Sequence, residues 1–182
     1  SSDLGDIKMI DKIKRLIENW KIEVVVVGGE EKIKFTPTSQ LDLDTNIDFL
    51  KTNKSAIIAE VKAIGAAKAQ REANIKAIEG LEEIKRVSNE WARYHHEYNR
   101  RFEAEDYRAL AKPETTVEEL KNKYPRAAAY LKAQSWTYSD NVGKYGAGKA
   151  ALERIIAGED HEQVLAEMET EWSEYTQDRM WD

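Results

Sequence analysis

The stretch KIEVVVVGGEEKIKF, residues 21–35, decides how the first third of the chain folds. Two runs rich in β-branched and other apolar residues are joined by residues 28–31, which begin with Gly28 and Gly29. Glycine readily adopts the positive φ angles that tight hairpin turns require. The pattern therefore predicts a β-hairpin here.

Helical patterns flank the predicted hairpin on both sides. Residues 9–20, MIDKIKRLIENW, place apolar side chains at steps of three and four, which is typical of a helix. After Pro37, residues 43–64 read as two further helices. We therefore predict a helix, hairpin, helix, helix module over residues 1–64. The apolar positions of its first helix are Ile10, Ile13, Ile17 and Trp20.

Residues 65–111 are predicted to form one long helix, because only Gly80 interrupts an otherwise helical pattern. Apolar residues recur about every 3.4 positions, close to the 3.5 of a coiled coil. Such a helix would be about 65 Å long. We expect its apolar stripe either to fold back on the C-terminal helices or to pair with a second copy, and we favour a homodimer. The pairing positions are Ile78, Leu81, Ile84, Val87, Trp91 and Tyr98.

The remaining residues, 112–182, are predicted to form a helical cluster. Thr116 and Glu119 have the spacing of a capping box before a short helix. Longer helices are predicted at about 125–141, 147–157 and 160–181. The fold class is therefore mainly α, with a small α+β N-terminal module, a long coiled-coil-like helix and a C-terminal helical domain.

Composition indicates a soluble protein. Charged residues make up 34% of the 182 positions, and no apolar run, residues 24–27 included, approaches the roughly 20 residues of a membrane span. The first fifteen residues contain no apolar core of a secretion signal. The chain has no cysteine, so it has neither disulfides nor thiol catalysis. We expect a cytoplasmic protein that does not bind membranes.

The net charge of −6 is unevenly distributed along the chain. Residues 151–182 contain ten acidic and two basic residues, a net charge of −8. The other 150 residues contain 26 basic and 24 acidic residues and are nearly neutral. This asymmetry indicates an interaction surface near the C-terminal end.

Residues 143–150, GKYGAGKA, match the Gly-x-x-x-x-Gly-Lys frame of a phosphate-binding loop. Ala150 stands where that loop needs a hydroxyl group for magnesium. A phosphate loop also follows a buried strand, whereas the preceding residues read as helix. We therefore reject a nucleotide site and predict a flexible turn between helices.

No other pattern points to an enzyme. His95 and His96 are adjacent, so on a helix they point about 100° apart and are poorly placed to share a metal ion. His161 has no partner at metal-ligand spacing. We predict no catalytic residue, no metal ion and no cofactor.

A basic edge is predicted on the long helix. Arg86, Arg93 and Arg100 are seven residues apart, and Arg101 is close by. Basic side chains beside aromatic ones can hold a nucleic-acid backbone. Acidic residues are interspersed, so a solvated or salt-bridging face is the alternative that we favour. The neighbouring aromatic residues are Trp91, Tyr94 and Tyr98.

An acidic face is predicted on the last helix. Its four carboxylates lie within about 60° of arc beside an apolar stripe and could dock against a basic groove. The alternative is an amphipathic helix with an acidic solvent side. The carboxylates are Glu167, Glu171, Glu174 and Asp178, and the stripe contains Val164, Leu165, Met168, Trp172 and Tyr175.

Residues 7–64 resemble TubC-type N-terminal docking domains, through LIENWKIEVVVVGGEEKIKFTP and IDFLKTNKSAIIAEVK. That family has a helix, an exposed hairpin and two short helices, and its hairpin edge receives a partner peptide. The resemblance implies a docking hairpin here and suggests an adaptor in phage replication or assembly. Its residues would be Val24, Val25, Val26, Val27, Lys32, Ile33, Lys34 and Phe35.

The C-terminal region, above all YPRAAAYLKAQSWTYSDNVGKYGAGKAALERIIAGEDHEQVLAEMETEWSEY, resembles small phage and prophage proteins. Small, acidic, cysteine-free phage proteins without catalytic motifs resemble anti-CRISPR inhibitors. This likeness implies a non-enzymatic inhibitor in the host bacterial cytoplasm that binds a type II CRISPR nuclease–guide RNA complex and blocks DNA engagement. The alternatives are the adaptor and a DNA-binding protein that uses the basic edge.

Overall fold

The computed structural model describes residues 2–105 and 109–179, and the side chains among them except those of residues 2–4, 6 and 177–179. The chain divides into two compact units, which we call unit 1 (Ser1–Gln70) and unit 2 (Arg71–Asp182). The described residues form eight helices and one two-stranded antiparallel sheet near the N-terminus. The predicted fold class, mainly α with a small α+β N-terminal module, is confirmed.

Unit 1 contains the predicted helix, hairpin, helix, helix order. Its elements are α1 (Ser2–Trp20), β1 (Glu23–Val27), β2 (Glu30–Lys34), α2 (Gln40–Thr52) and α3 (Lys54–Lys76), the last of which continues into unit 2.

The core of unit 1 forms around the apolar face of α1. The side chain of Trp20 has only 1% of its surface exposed, and its ring lies 5.6 Å from that of Phe35. The helical pattern placed Ile10 on this face, but its side chain is 40% exposed. Leu16, which the pattern did not include, is buried. The buried core residues are Ile13, Leu16, Trp20, Ile22, Leu50 and Ile57.

A polar network fixes the start of α2 against α1. The indole Nε1 of Trp20 donates a hydrogen bond to the Asp42 carboxylate over 2.5 Å, and the Thr38 hydroxyl donates to the same oxygen over 2.6 Å. The amide group of Asn46 donates to the other carboxylate oxygen. The hydrogen bond from Thr38, with those from Trp20 and Asn46, lowers the pKa of Asp42 below its ordinary value.

The single long helix predicted over residues 65–111 is wrong, because the chain breaks between α3 and α4 (Leu81–Glu103). Gly80 precedes α4 with a φ of 77°, a left-handed conformation that ends the helical path. The ring of Tyr124 lies against Gly80, and its hydroxyl donates a 3.0 Å hydrogen bond to Glu83. Tertiary packing thus stabilises the break.

Four more helices lie in the described part of unit 2. They are α5 (Val117–Lys123), α6 (Pro125–Trp136), α7 (Val142–Ile156) and α8 (His161–Arg179). The predicted capping box is present at the start of α5, where Thr116 and Glu119 exchange side-chain to backbone hydrogen bonds.

One apolar core joins α4 to the C-terminal helices. The predicted boundary between residues 111 and 112 therefore falls inside unit 2, and the boundary predicted after residue 64 lies a short way before the division at Gln70. The core residues are Ile78, Leu81, Ile84, Val87, Leu120, Ala127, Ala129, Tyr130, Ala133, Ala147, Ala151, Leu152, Ile155, Ile156, Val164 and Met168.

Candidate functional site

The hairpin is connected by two glycines only, so β2 begins earlier than the sequence pattern indicated. Val27 pairs with Glu30, and Gly28 and Gly29 between them have φ angles of 64° and 83°. Two successive positive φ angles are the geometry of the tight turns whose twist matches that of the flanking strands. No third strand pairs with β1 or β2 anywhere in residues 2–105 or 109–179.

The pairing of the hairpin determines which backbone groups face away from it. Residues that flank a two-residue turn exchange both hydrogen bonds, and the pairs then alternate along the ladder. Val27 and Val25 therefore bond to β2, whereas the N–H and C=O groups of Val24 and Val26 point to the outer edge of β1. This outer edge can accept another extended segment.

The four valines of β1 differ in exposure. Val26 is 68% and Val27 is 51% exposed, while Val24 and Val25 are half-buried. The turn end of β1 thus presents apolar side chains together with the unpaired backbone groups of Val26.

The predicted docking residues of β2 alternate between the two faces of the hairpin. Lys32 and Lys34 are exposed, but Ile33 and Phe35 pack against the core of unit 1. The side chains of Ile33 and Phe35 are therefore only partly accessible to a docked peptide, whereas those of Lys32 and Lys34 face solvent.

The residues of the predicted acidic face on α8 differ in their contacts. Glu167 accepts hydrogen bonds from Arg154 and Gln163, and the bond from Arg154 is the main cause that lowers the pKa of Glu167. Glu171 and Glu174 are exposed, and neither forms an ion pair within the described part of the chain. The side chain of the fourth residue, Asp178, lies outside the described residues.

The predicted pairing stripe is mostly used inside unit 2. Ile78, Leu81, Ile84 and Val87 are buried in its core and are not free to contact a second copy. The periodicity was correct, but α5 and α6 cover the stripe. Of the remaining two positions, Trp91 is half-buried and Tyr98 is 52% exposed.

The basic edge and the aromatic side chains of α4 have different centres on the helix, although Arg93 and Tyr94 line one groove. Residues seven apart stay within about 20° of each other on a helix, so Arg86, Arg93 and Arg100 share one side. The centre of the aromatic face formed by Trp91, Tyr94 and Tyr98 is roughly 130° away. Arg86 also pairs with Glu90 over 2.6 Å. Arg101 lies nearer the aromatic face and has a contact within its own chain.

Residues 143–150 belong to helix α7, so the predicted flexible turn is wrong. Asn141 caps the helix by accepting hydrogen bonds from the backbone N–H groups of Gly143 and Lys144. Gly143 lies under the ring of Tyr175, and Gly148 lies against Trp136. Glycine is needed here for close packing between helices, and the helix that precedes α7 is α6 rather than a strand.

A groove that the sequence did not reveal lies between α5, α6 and α8. Its volume is about 610 Å³, and its lining includes Lys121, Lys132, Glu162 and Leu165. His161 also lines it, and the Nε2 atom of this histidine is buried without a hydrogen-bond partner in the described structure. Only the position of His161 at the start of α8 could have indicated this site.

The histidines do not form a metal centre in the described residues. His95 stacks on Trp91 at 5.5 Å. Within residues 2–105 and 109–179, no group of three histidine or carboxylate side chains could hold a metal ion. Nor does any helix of the described ranges have the length and apolarity to cross a membrane.

Comparison with family models, with curated proteins and with solved structures found no match for this chain. Function must therefore be argued from the surfaces themselves.

Proposed function

We propose that this chain is a non-enzymatic binding protein whose unit 1 takes up an extended peptide along the outer edge of β1. The proposal depends on the outer edge of β1, which pairs with no other strand in the described residues. The side chains of Val26 and Val27 on this strand are more than half exposed. Strand edges of this kind bind extended segments through main-chain hydrogen bonds, with side chains supplying specificity.

The backbone of β1 limits the length of the bound segment. Val24 and Val26 supply the outward N–H and C=O groups, so a peptide of about five residues spans the strand. Because valines occupy both faces of β1, a partner with β-branched or aromatic residues at successive positions fits best.

The resemblance to TubC-type docking domains supports the same surface. The order α1, β1, β2, α2, α3 is the element order of that family, and the hairpin edge is where such domains receive a peptide. In this proposal the chain is an adaptor, and a role in phage replication or assembly is the setting we favour for it.

Val26→Pro tests the proposal directly. It removes one outward N–H group while leaving the hydrogen bonds between β1 and β2 in place, because Val26 is in a non-hydrogen-bonded pair. The matched control is Val26→Thr, which retains the N–H group and the branched side chain. We expect peptides captured from a random array to bind the full chain and the threonine variant, and to bind the proline variant at least about tenfold more weakly. Equal binding by both variants, or capture of no peptide, would overturn the proposal.

A second candidate function is inhibition of a type II CRISPR nuclease by a phage-derived protein. The observation that favours it is the exposed pair Glu171 and Glu174, next to Trp172, on a helix in the most acidic part of the chain. Such nucleases hold nucleic acid in positively charged channels, where an acidic helix would compete with DNA.

The double variant E171K/E174K tests the second candidate. Glu167 is left unchanged, because its replacement would also break the contact with Arg154. The control E72K/E114K makes the same change in net charge at two exposed positions of unit 2. Inhibition of DNA cleavage that persists in the control and disappears in the test variant supports this function. Inhibition that is absent in the wild type, or equal in both variants, rejects it.

A further inference from the structure

The two edges of the hairpin differ in their protection against pairing with another strand. Charged side chains on an edge strand disfavour such pairing. In β1 the only charged residue is the first, Glu23, and residues 24–27 are all valine. The outer edge of β1 therefore lacks the protection that β2 has. The charged residues of β2 are Glu30, Glu31, Lys32 and Lys34.

We propose that β1 of a second copy of this chain pairs antiparallel with the outer edge of β1, so that two hairpins form one four-stranded sheet. The segment that fits this edge best is about five residues long and has β-branched side chains at successive positions. β1 is itself such a segment, with four consecutive valines. The inference rests on the same outer edge as the proposed function, and it makes the chain a partner of its own.

One register of the two strands uses every outward backbone group of both copies. Val24 and Val26 direct their N–H and C=O groups outward. If the two-fold axis passes between the two copies of Val25, Val24 of each copy lies opposite Val26 of the other. Both of these pairs exchange two hydrogen bonds, about four in all. An axis at Val24 or at Val26 would instead place a valine opposite Ile22, which is buried, or Gly28, which is in the turn.

The side chains are compatible with this register. Glu23 of each copy lies opposite Val27 of the other, so no like charges face each other along the paired strands. Val26, which is 68% exposed in the single chain, comes to lie beside Val24 of the second copy. The contact is made by one five-residue strand of each copy, so it buries less than the roughly 1,200 Å² of a typical stable complex. The dimer is therefore weak and reversible.

Self-pairing and peptide binding exclude each other. Both use the outward N–H and C=O groups of Val24 and Val26, and these groups cannot bond to two strands at once. A peptide that binds along β1 should therefore dissociate the dimer, and its apparent affinity should fall as the protein concentration rises.

Charges introduced at Val25 in the full-length chain test the pairing, because the two-fold axis places this residue opposite itself. Sedimentation velocity at concentrations up to about 1 mM suits so weak an interface. We expect concentration-dependent dimers of the wild type. Val25→Lys and Val25→Glu should each weaken association at least about fivefold, since like charges then meet on the axis. The matched control is Val25→Thr, which keeps the branched shape without a charge and should associate as the wild type does.

Mixing the two charged variants distinguishes pairing from damage to the hairpin. In a heterodimer of V25K with V25E, opposite charges meet on the axis, so the equimolar mixture should recover association. A hairpin that had merely unfolded would not be rescued in this way. A wild type that stays monomeric up to about 1 mM, or a mixture that stays monomeric, would overturn the proposal.

The wild type alone supplies a second measurement. Residues opposite each other in a non-hydrogen-bonded pair have Cα atoms about 4.5 Å apart. A mixture of isotope-labelled and unlabelled chains should therefore show a nuclear Overhauser effect between the Hα atoms of Val25 in the two copies. Its absence from a dimeric sample would place the interface elsewhere.

The outcomes also separate this inference from the proposed function. Dimers that show the Val25 contact, in a chain that captures no peptide, would support self-pairing and reject the peptide site. Peptide capture by a chain that is monomeric at about 1 mM would do the reverse.

Discussion

The ring of Tyr124 occupies the space that a β-carbon on Gly80 would need. Gly80 also has a positive φ of 77°, so two independent constraints favour glycine at the junction before α4. The Tyr124 hydroxyl donates to Glu83 on the first turn of that helix. Tyr124, which directly precedes α6, therefore stabilises the break between α3 and α4.

Gly80→Ala should therefore destabilise unit 2 by two additive effects. The left-handed backbone costs about 1–2 kcal/mol for a residue with a β-carbon, and displacement of the Tyr124 ring costs about 1–3 kcal/mol more. Gly158→Ala is the matched control, because Gly158 has a φ of 99° but open space around it. Urea unfolding should show a larger loss for G80A than for G158A. Equal losses would mean that Tyr124 does not constrain this site.

The same junction explains how far the sequence could predict the fold. The helical spacing from Ile75 to Phe102 was correctly read as helix on both sides of Gly80. Spacing alone does not show whether a glycine in such a pattern is helical or left-handed, since that depends on Tyr124, a residue distant in sequence. Periodicity likewise identified the apolar stripe of α4 but did not show that α5 and α6 bury its first half.

Gly148→Ala should destabilise α7 although alanine is the better helix former. A β-carbon on Gly148 would meet Trp136 and lie 3.0 Å from the backbone oxygen of Ala133, and such overpacking costs about 1–3 kcal/mol. Gly146, on the same helix, has open space around it. Gly146→Ala should therefore stabilise unit 2 by up to about 1 kcal/mol. Thermal unfolding of the two variants should give opposite shifts, and a stabilised G148A would contradict the packing described for Trp136.

This pair of glycines also shows why the turn predicted over residues 143–150 was wrong. Local propensity counts each glycine against a helix. The cap at Asn141 and the packing of Gly148 against Trp136 both stabilise the helix. Helix propensity scales include neither contribution. In the hairpin, by contrast, the turn signal and the pattern of the strands agree within fifteen residues, so the sequence was sufficient to locate the candidate docking edge.

Unit 1 should lose stability in acid through Asp42. Hydrogen bonds, first from Thr38 and then from Trp20, lower the pKa of Asp42 below its ordinary value in the folded state. A lowered folded-state pKa gives stability that is fully present above the unfolded-state pKa and is lost as the pH falls through the folded-state value. Asp42→Asn should lower the urea midpoint at pH 7, and the difference from the wild type should shrink below about pH 4.

The control for that measurement is Asp44→Asn, an exposed carboxylate on the same helix. The indole N–H resonance of Trp20 reports on the site directly, since it should shift in D42N and stay unchanged in D44N. If the urea midpoints of D42N and wild type differ by the same amount at every pH, the charge of the Asp42 carboxylate does not contribute to the stability of unit 1.

Two substitutions at Gly28 should have very different effects on the stability of unit 1. Its φ of 64° lies in the left-handed region, which asparagine tolerates and valine does not. Gly28→Asn should keep the thermal midpoint of unit 1 within error of the wild type, whereas Gly28→Val should lower its stability by about 1–2 kcal/mol. Peptide binding along β1 should follow the same order, because a distorted turn shifts the register that directs Val24 and Val26 outward. Binding that survives in G28V with the hairpin unfolded, as judged by the loss of cross-strand nuclear Overhauser effects between Val26 and Glu31, would place the docking surface elsewhere.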